Sequence, residues 1–424
     1  MFERIEKALG NAGVSVWSIT KSHVRTAELY FIKKKLDLPR LNDILQYEVT
    51  VCRDAEEGGR KLRGQSVAYI VPGMTDEEIG RKIEDAYFAA RFVKNPFYEL
   101  PDKVTAPHCA SPSDLKDLPL EDIAARFAEA ALAADNEADA FLNSMEIFIY
   151  RRSFEIKASN GLHVSYDTDD VFGEFVTQCK EPEDVEQYRQ FRYDSLVPDA
   201  LAERIREGLR DARLRAAADR MPASGTYDVL ITGDNIPELF DYYQMRSNAG
   251  VLVSGYSTWK IGDDVQGGTD GGERLNMTLV ADAPFNTEGV PMTDRELLDG
   301  GVLKTFHGPT RFCRYLGIEP TGSYGKLRVD CGSVPLAEMR KDGVLETVSF
   351  SDFQMDFFDG HFGGEMRLAL LHEDGKAVPV CGGSINGSIL DVQGKLIFSK
   401  ERYKSGSYEG PYAVLIPGVP VAGA

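Results

Sequence analysis

Residues 220–250 read RMPASGTYDVLITGDNIPELFDYYQMRSNAG, and three kinds of chain follow one another in them. RMPASG is linker material, rich in residues that punctuate helix and sheet. YDVLIT, 227–232, is a short apolar run of the kind that makes a buried strand. The helix expected next has Pro237 in its first turn, where a missing N–H is tolerated, and Gly250 at its end. A boundary near residue 222 follows, dividing the chain into an N-terminal unit, 1–222, and a C-terminal unit, 223–424.

Upstream, helices and alternating runs are interleaved. FERIEKALGNAG spaces Phe2, Ile5 and Leu9 for a helix. LQYEVTVCR and RKLRGQSVAYIVPG alternate as strands do, the latter placing Val67, Tyr69 and Val71 on one face. In TDEEIGRKIEDAYFAARFV, Thr75 and Glu78 form a capping box ahead of the stripe Ile79, Ile83, Ala86, Tyr87, Ala90. LEDIAARFAEAALAAD is a second amphipathic helix. SNGL, 159–162, between two alternating runs, predicts a hairpin, because Asn-Gly tolerates positive φ. Residues 182–219 are expected to hold one or two helices, with Pro198 in a first turn.

Beyond residue 251 the character changes to short β-rich runs broken by Gly, Pro and Asp every 8 to 12 residues or so. GDDVQGGTDGGERLN, 262–276, is expected to be a long surface loop. The predicted class is α+β: an N-terminal α/β unit with a mixed or antiparallel sheet, and a C-terminal unit of mainly antiparallel strands, barrel- or sandwich-like.

Composition narrows the function classes. With 424 residues, 43% hydrophobic and 27% charged, the chain reads as an ordinary globular protein. Acids outnumber bases 67 to 48, a formal charge of −19, which disfavours nucleic acid as a partner. The basic stretches IKKKLD and IREGLRDARLRAAADR read as solvated faces of a loop and a helix. No apolar run reaches the roughly 20 residues of a membrane span, and MFERIEKALG lacks the features of a secretory signal. Six scattered cysteines without a CxxC pair suit a reducing compartment, so a cytoplasmic location is expected.

The chemistry-bearing stretch is DFFDGHFGGEMRLALLHEDGK, 356–376. His361 and Glu365 are four apart, but Gly360, Gly363 and Gly364 make a helix costly, at about 1 kcal/mol per interior glycine. Strands meeting at a Gly-rich bend are expected instead, with turn chemistry at EDGK. His361, Glu365 and His372 stand as alternative ligands of a divergent metal site. CGGSINGS, 381–388, matches neither phosphate-binding pattern and reads as turns, with SINGSI as a hairpin or bulge. No HExxH or GxSxG arrangement is present, and no SxxK element comes with its companion motifs, so no catalytic residue is assigned.

Several segments in order resemble the TldD/PmbA (TldE) family: EDAYFAARFV running into KNPFYELP, SFEIKA before SNGL, GTYDVLIT, NTEGVPMTD, LLDGGVLK, PTGSYG, and GSINGSI ahead of GPYAVLIPGVPVAG. The resemblance covers essentially the whole chain. It implies a protein of proteolysis, in which a TldD-type subunit carries zinc on a helical HExxxH and a C-terminal cysteine. That subunit pairs with a PmbA-type subunit lacking those ligands, and the pair degrades or trims extended peptides. The family is linked to peptide antibiotics and antitoxins and carries an older description as modulator of DNA gyrase.

This chain departs from the zinc pattern twice. The helix after YDVLIT offers Tyr242, Tyr243 and Ser247 in place of imidazoles, and the tail after Lys400 has no cysteine. The resemblance therefore implies a PmbA-like member without a cofactor of its own, zinc being expected only in a TldD-type partner. A homodimeric peptide-binding protein without catalysis is the alternative, followed by a metallopeptidase with a divergent site.

Overall fold

The computed structural model describes residues 1–424. Its first half is built on one antiparallel seven-stranded sheet, in the order Asn95–Pro96, Arg60–Ile70, Lys35–Glu57, Val16–Ile32, Ala140–Ala158, His163–Cys179, Val185–Tyr193. Val16–Ile32 and Lys35–Glu57 form a long hairpin whose turn puts Lys33 at φ +54°, so the lysine cluster is a solvated tip. Arg60–Ile70 pairs only with residues 47–57 of its neighbour, leaving the edge of 35–46 free.

Helices cover one face of this sheet. Phe2–Asn11 and Asp76–Ala90 pack Ile5, Leu9, Ile79 and Ile83 on Ile19, Val49, Val51 and Ile70. Leu120–Ala134 and Pro198–Ala216 pack Phe127, Ile205 and Leu209 on Ala27, Ile147 and Phe175. The capping box forms as expected, with Thr75 Oγ1 accepting from Glu78 N and Glu78 accepting from Thr75 N at 2.8 Å. Val67, Tyr69 and Val71 share a face, but it is the uncovered one, and Tyr69 is 53% exposed.

The SNGL hairpin is present, with one difference. Only Gly161 has positive φ, +91°, while Asn160 Oδ1 accepts the Leu162 amide at 3.2 Å. It is an Asx-type turn. Residues 185–193, the first part of the segment expected to hold one or two helices, form the edge strand; Gln187 and Arg189 alternate inward with Val185 and Phe191, and those polar positions mask its period of two. A single helix, Pro198–Ala216, follows.

In the second half Gly225–Thr232 lies between Ala413–Ala422, antiparallel, and Val344–Met355, parallel. Val344–Met355 pairs with His361–Glu373, which pairs with Ser384–Ser388, which returns to Ala413–Ala422. The ring is therefore a closed barrel without free edges. Ser384–Ser388 is thus an interior strand rather than a hairpin; Gly387 is needed because a Cβ there would lie 2.6 Å from the Phe362 ring. The predicted turn after His372 is a tight hairpin, with Asp374 and Gly375 at φ +52° and +70°.

A second, six-stranded sheet contains Met277–Val280, Arg295–Asp299 and Lys326–Val329. Helix Ile236–Arg246 shares one core with this sheet and the barrel, through Leu239, Phe240, Tyr242 and Tyr243. The helix ends before Gly250, because Ser247 Oγ donates to the Tyr243 carbonyl at 2.9 Å and Asn248 caps a new short helix, Ala249–Val253. Segment 262–276 is partly interior. Gln266 is buried, and its side chain donates to Glu273 and Gln393 carbonyls and accepts from Leu275 N. No helix is long and apolar enough to cross a membrane.

One close approach gives a stability test. A Cβ at Gly64 would lie 1.8 Å from the Ala90 carbonyl oxygen, where the helix end meets the strand. Thr75→Ala should cost about 1 kcal/mol through the lost cap. Gly64→Ala should lower the melting temperature further, by separating helix from sheet. Equal losses in thermal unfolding would show that this contact relaxes freely.

Candidate functional site

Strand His361–Glu373 holds all three alternative metal ligands and keeps them apart. At roughly 3.3 Å per residue, His361 and Glu365 are about 13 Å apart and His361 and His372 about 36 Å. Their partners differ accordingly. The exposed His361 meets only Asp359, and Glu365 accepts from Ser351 Oγ at 3.1 Å. His372 is buried, its Nε2 2.9 Å from Glu346 Oε2, while Arg340 makes a two-pronged pair with the same carboxylate at 2.9 and 2.7 Å. No three His, Cys, Asp or Glu side chains in the chain converge in a way that could hold a metal ion.

The helix that bears on the zinc question is Ile236–Arg246. Tyr243 is fully buried, its hydroxyl donating to Gln393 Oε1 at 2.8 Å. Tyr242 packs edge-on to Tyr243 at 5.3 Å and to Trp259 at 5.7 Å, and the Arg246 guanidinium lies over the Tyr242 and Trp259 rings. Aromatic rings fill this side of the helix, burial pushing both tyrosine hydroxyls up. These residues do not fit a zinc ion: they supply no imidazole or thiolate, and the phenols are neutral and committed to packing.

The same helix carries the half-buried Glu238 and Asp241, one turn apart. Burial raises both carboxyls, and Glu238 adds repulsion that brings Asp241 to about 6.

A polar concavity lies elsewhere, between the two halves: a cavity of about 530 Å3. One wall is helix Pro198–Ala216, which turns Arg204, Glu207 and Asp211 toward it; the other comes from the barrel and the 402–412 hairpin. Arg204 is buried and bonds Asp234 and Tyr403 Oη, while Tyr403 also donates to Asp234. The Arg340–Glu346–His372 cluster lines the same space. Helix 198–216 is therefore not simply a solvated face, since Arg204 and Asp211 are interior. The sequence signal for this was an i, i+3, i+7 row of charges opposite an apolar stripe, indistinguishable from a solvated row without the other wall.

A closed barrel sharing one core with a helix and a second sheet, with a helix-backed antiparallel sheet docked through ion clusters, defines a two-part α+β architecture. Residues 224–423 match the family model described as PmbA/TldA metallopeptidase C-terminal domain. This C-terminal part of the chain belongs to the TldD/PmbA family. None of the curated proteins matches it.

Three solved structures share the fold over nearly the full length. A candidate modulator of a DNA gyrase from Thermotoga maritima is 18% identical with TM-score 0.77, covering 100% of each chain. TldE from Thermococcus kodakarensis is 14% identical with TM-score 0.78, covering 99% of this chain and 100% of the other. A candidate modulator of DNA gyrase from Bacteroides thetaiotaomicron is 16% identical with TM-score 0.76, covering 100% and 99%.

Asp241 gives a pH test. Its folded pKa, about 6, exceeds the ordinary 3.8, so the folded chain binds that proton more tightly. Asp241 therefore favours folding at acidic pH, and that contribution is lost as pH rises from about 4 through about 6. Asp241→Asn should raise the melting temperature by roughly 2 °C or more at pH 7 to 8. The gain should vanish near pH 4 in thermal scans.

Proposed function

We propose that this chain is the PmbA-type subunit of a cytoplasmic two-chain protease that degrades or trims extended peptides. In this reading it supplies binding surface and scaffold, and zinc resides in a TldD-type partner. The observation that carries the proposal is the side of helix Ile236–Arg246 filled by Tyr242, Tyr243 and Trp259 within a fold that belongs to the TldD/PmbA family. A helix packed in this way stabilises the barrel and leaves the hydrolytic step to another chain.

A partner also has a surface to meet. The free edge 35–46 exposes Leu36, Leu38, Leu41 and Ile44, with Leu41 71% exposed. An apolar row of this kind, interspersed with Arg40, Asn42 and Asp43, suits a subunit contact. Pro39, which has no N–H to donate to a ladder, is a residue that sheets tolerate on edge strands. Extended peptides would then be held by strand addition at an edge completed by the assembly.

The test is co-expression with an HExxxH-bearing chain encoded beside this one. The two should co-purify, and peptidase activity should need both. Leu41→Glu combined with Ile44→Glu should weaken the pair at least tenfold without unfolding the monomer, because both side chains are already in solvent. A chain that neither binds such a partner nor changes its activity would refute the proposal, and a stable homodimer without peptidase activity would favour the stand-alone peptide-binding alternative.

A further inference from the structure

The cavity between the halves contains more polar chemistry than domain docking uses. Arg189, Arg204, Arg210 and Arg340 line it, and so do Glu207, Asp211, Asp234 and Glu346, an equal number of each sign. Most are committed: Arg189 to Asp211 and Asp234, Arg204 to Asp234, and Arg340 to Glu346. Three groups are not. Glu207 is half-buried and forms no hydrogen bond or ion pair, and burial raises its carboxyl against the pull of Arg189, Arg204 and Arg210. The Tyr412 hydroxyl likewise has no hydrogen-bond partner in the chain. Arg210 has a single contact, 3.4 Å to Asp211, and a side chain 56% exposed.

These free groups form a complementary set. Glu207 is an acceptor for an ammonium, and Tyr412 and Arg210 are donors for a carboxylate. Glu207 and Arg210 are three apart on one helix, a spacing of about 5–6 Å between Cβ atoms. A ligand of net charge would upset the equal tally of charges, whereas a zwitterion preserves it. Leu214, Leu336, Val348, Leu370 and Ala377 supply apolar wall for small aliphatic side chains. The volume suits a ligand of two or three residues.

We propose that this cavity binds a short peptide, of di- or tripeptide size, through its free ammonium at Glu207 and its free carboxylate at Arg210 and Tyr412. The site lies wholly within this chain, so it stands whether or not a TldD-type partner exists. It places recognition of short peptide ends at the seam of the two halves, away from helix Ile236–Arg246.

Isothermal titration of the full chain with alanyl-leucine tests it, alongside N-acetyl-alanyl-leucine and alanyl-leucinamide. The free dipeptide should bind, and blocking either end should weaken binding at least about tenfold, because the polar group that meets that end is then left unpaired. Glu207→Gln should erase discrimination at the amine only, and Tyr412→Phe should reduce discrimination at the carboxylate only. Melting temperature and size should establish that both variants fold, with Arg210→Gln as the substitute if Tyr412→Phe does not. Absence of binding to the folded chain at millimolar dipeptide, or equal binding of the blocked forms, would overturn the proposal.

Discussion

The second half of the molecule depends on one pairing, the parallel ladder between Gly225–Thr232 and Val344–Met355. Parallel strands cannot be joined by a tight turn, so more than a hundred residues must leave the first strand and return to the second. That crossover holds helix Ile236–Arg246 and much of the six-stranded sheet, and barrel closure then buries the helix in their common core. The helix can tolerate little change on its inner side, because Phe240, Tyr242 and Tyr243 all pack into that core. Ring closure also removes the edges that a Gly-rich segment such as 360–364 would otherwise expose.

Docking of the two halves has a different basis. Arg204, Asp234 and Tyr403 bond one another across it, Ser349 Oγ donates to Gln187 Oε1 at 3.1 Å, and Lys326 meets Asp194 at 3.2 Å. A second contact region is apolar, where Leu162 of the SNGL turn packs beneath Gly289; a Cβ there would lie 2.7 Å from Leu162 Cδ2. Gly289 at φ +82° thus answers two demands, a left-handed backbone and a close approach. The segments that carried the family resemblance are therefore partly seam residues. SNGL and NTEGV meet each other, and Tyr315 Oη donates to the Pro96 carbonyl of KNPFYELP at 2.6 Å.

Local chemistry was legible from the residues. The Thr75–Glu78 cap, the strand YDVLIT, the SNGL hairpin and the Asp374–Gly375 turn each depend on neighbours a few positions away, where propensity and φ preference act. What was not legible depended on distant chain. Residues 185–193 are a strand because His163–Cys179 offers an edge, although Gln187 and Arg189 on the inner side break the apolar alternation. SINGS is a strand because it fills the place between His361–Glu365 and the C-terminal strand. The cavity was hidden for the same reason: its charges come from helix 198–216, the 232–234 turn and the 402–412 hairpin, and each reads alone as ordinary surface. His372 reads in the sequence as a ligand candidate, yet its partners Glu346 and Arg340 make it part of a buried ion cluster.

That cluster shows why charge concentration is a poor guide to catalysis in this fold. A buried carboxylate is costly unless paired and hydrogen-bonded. Glu346 meets the requirement with one arginine and one histidine, so its acceptor capacity is spent within the chain. Glu207 differs, since it is desolvated beside Arg189 and Arg204, both of which are engaged by other acids. In a half-buried polar space the informative group is the one left without a partner. Here it stands at the seam, where a ligand touching both walls would bind the docked arrangement more tightly than a separated one, and so would favour it by its differential affinity.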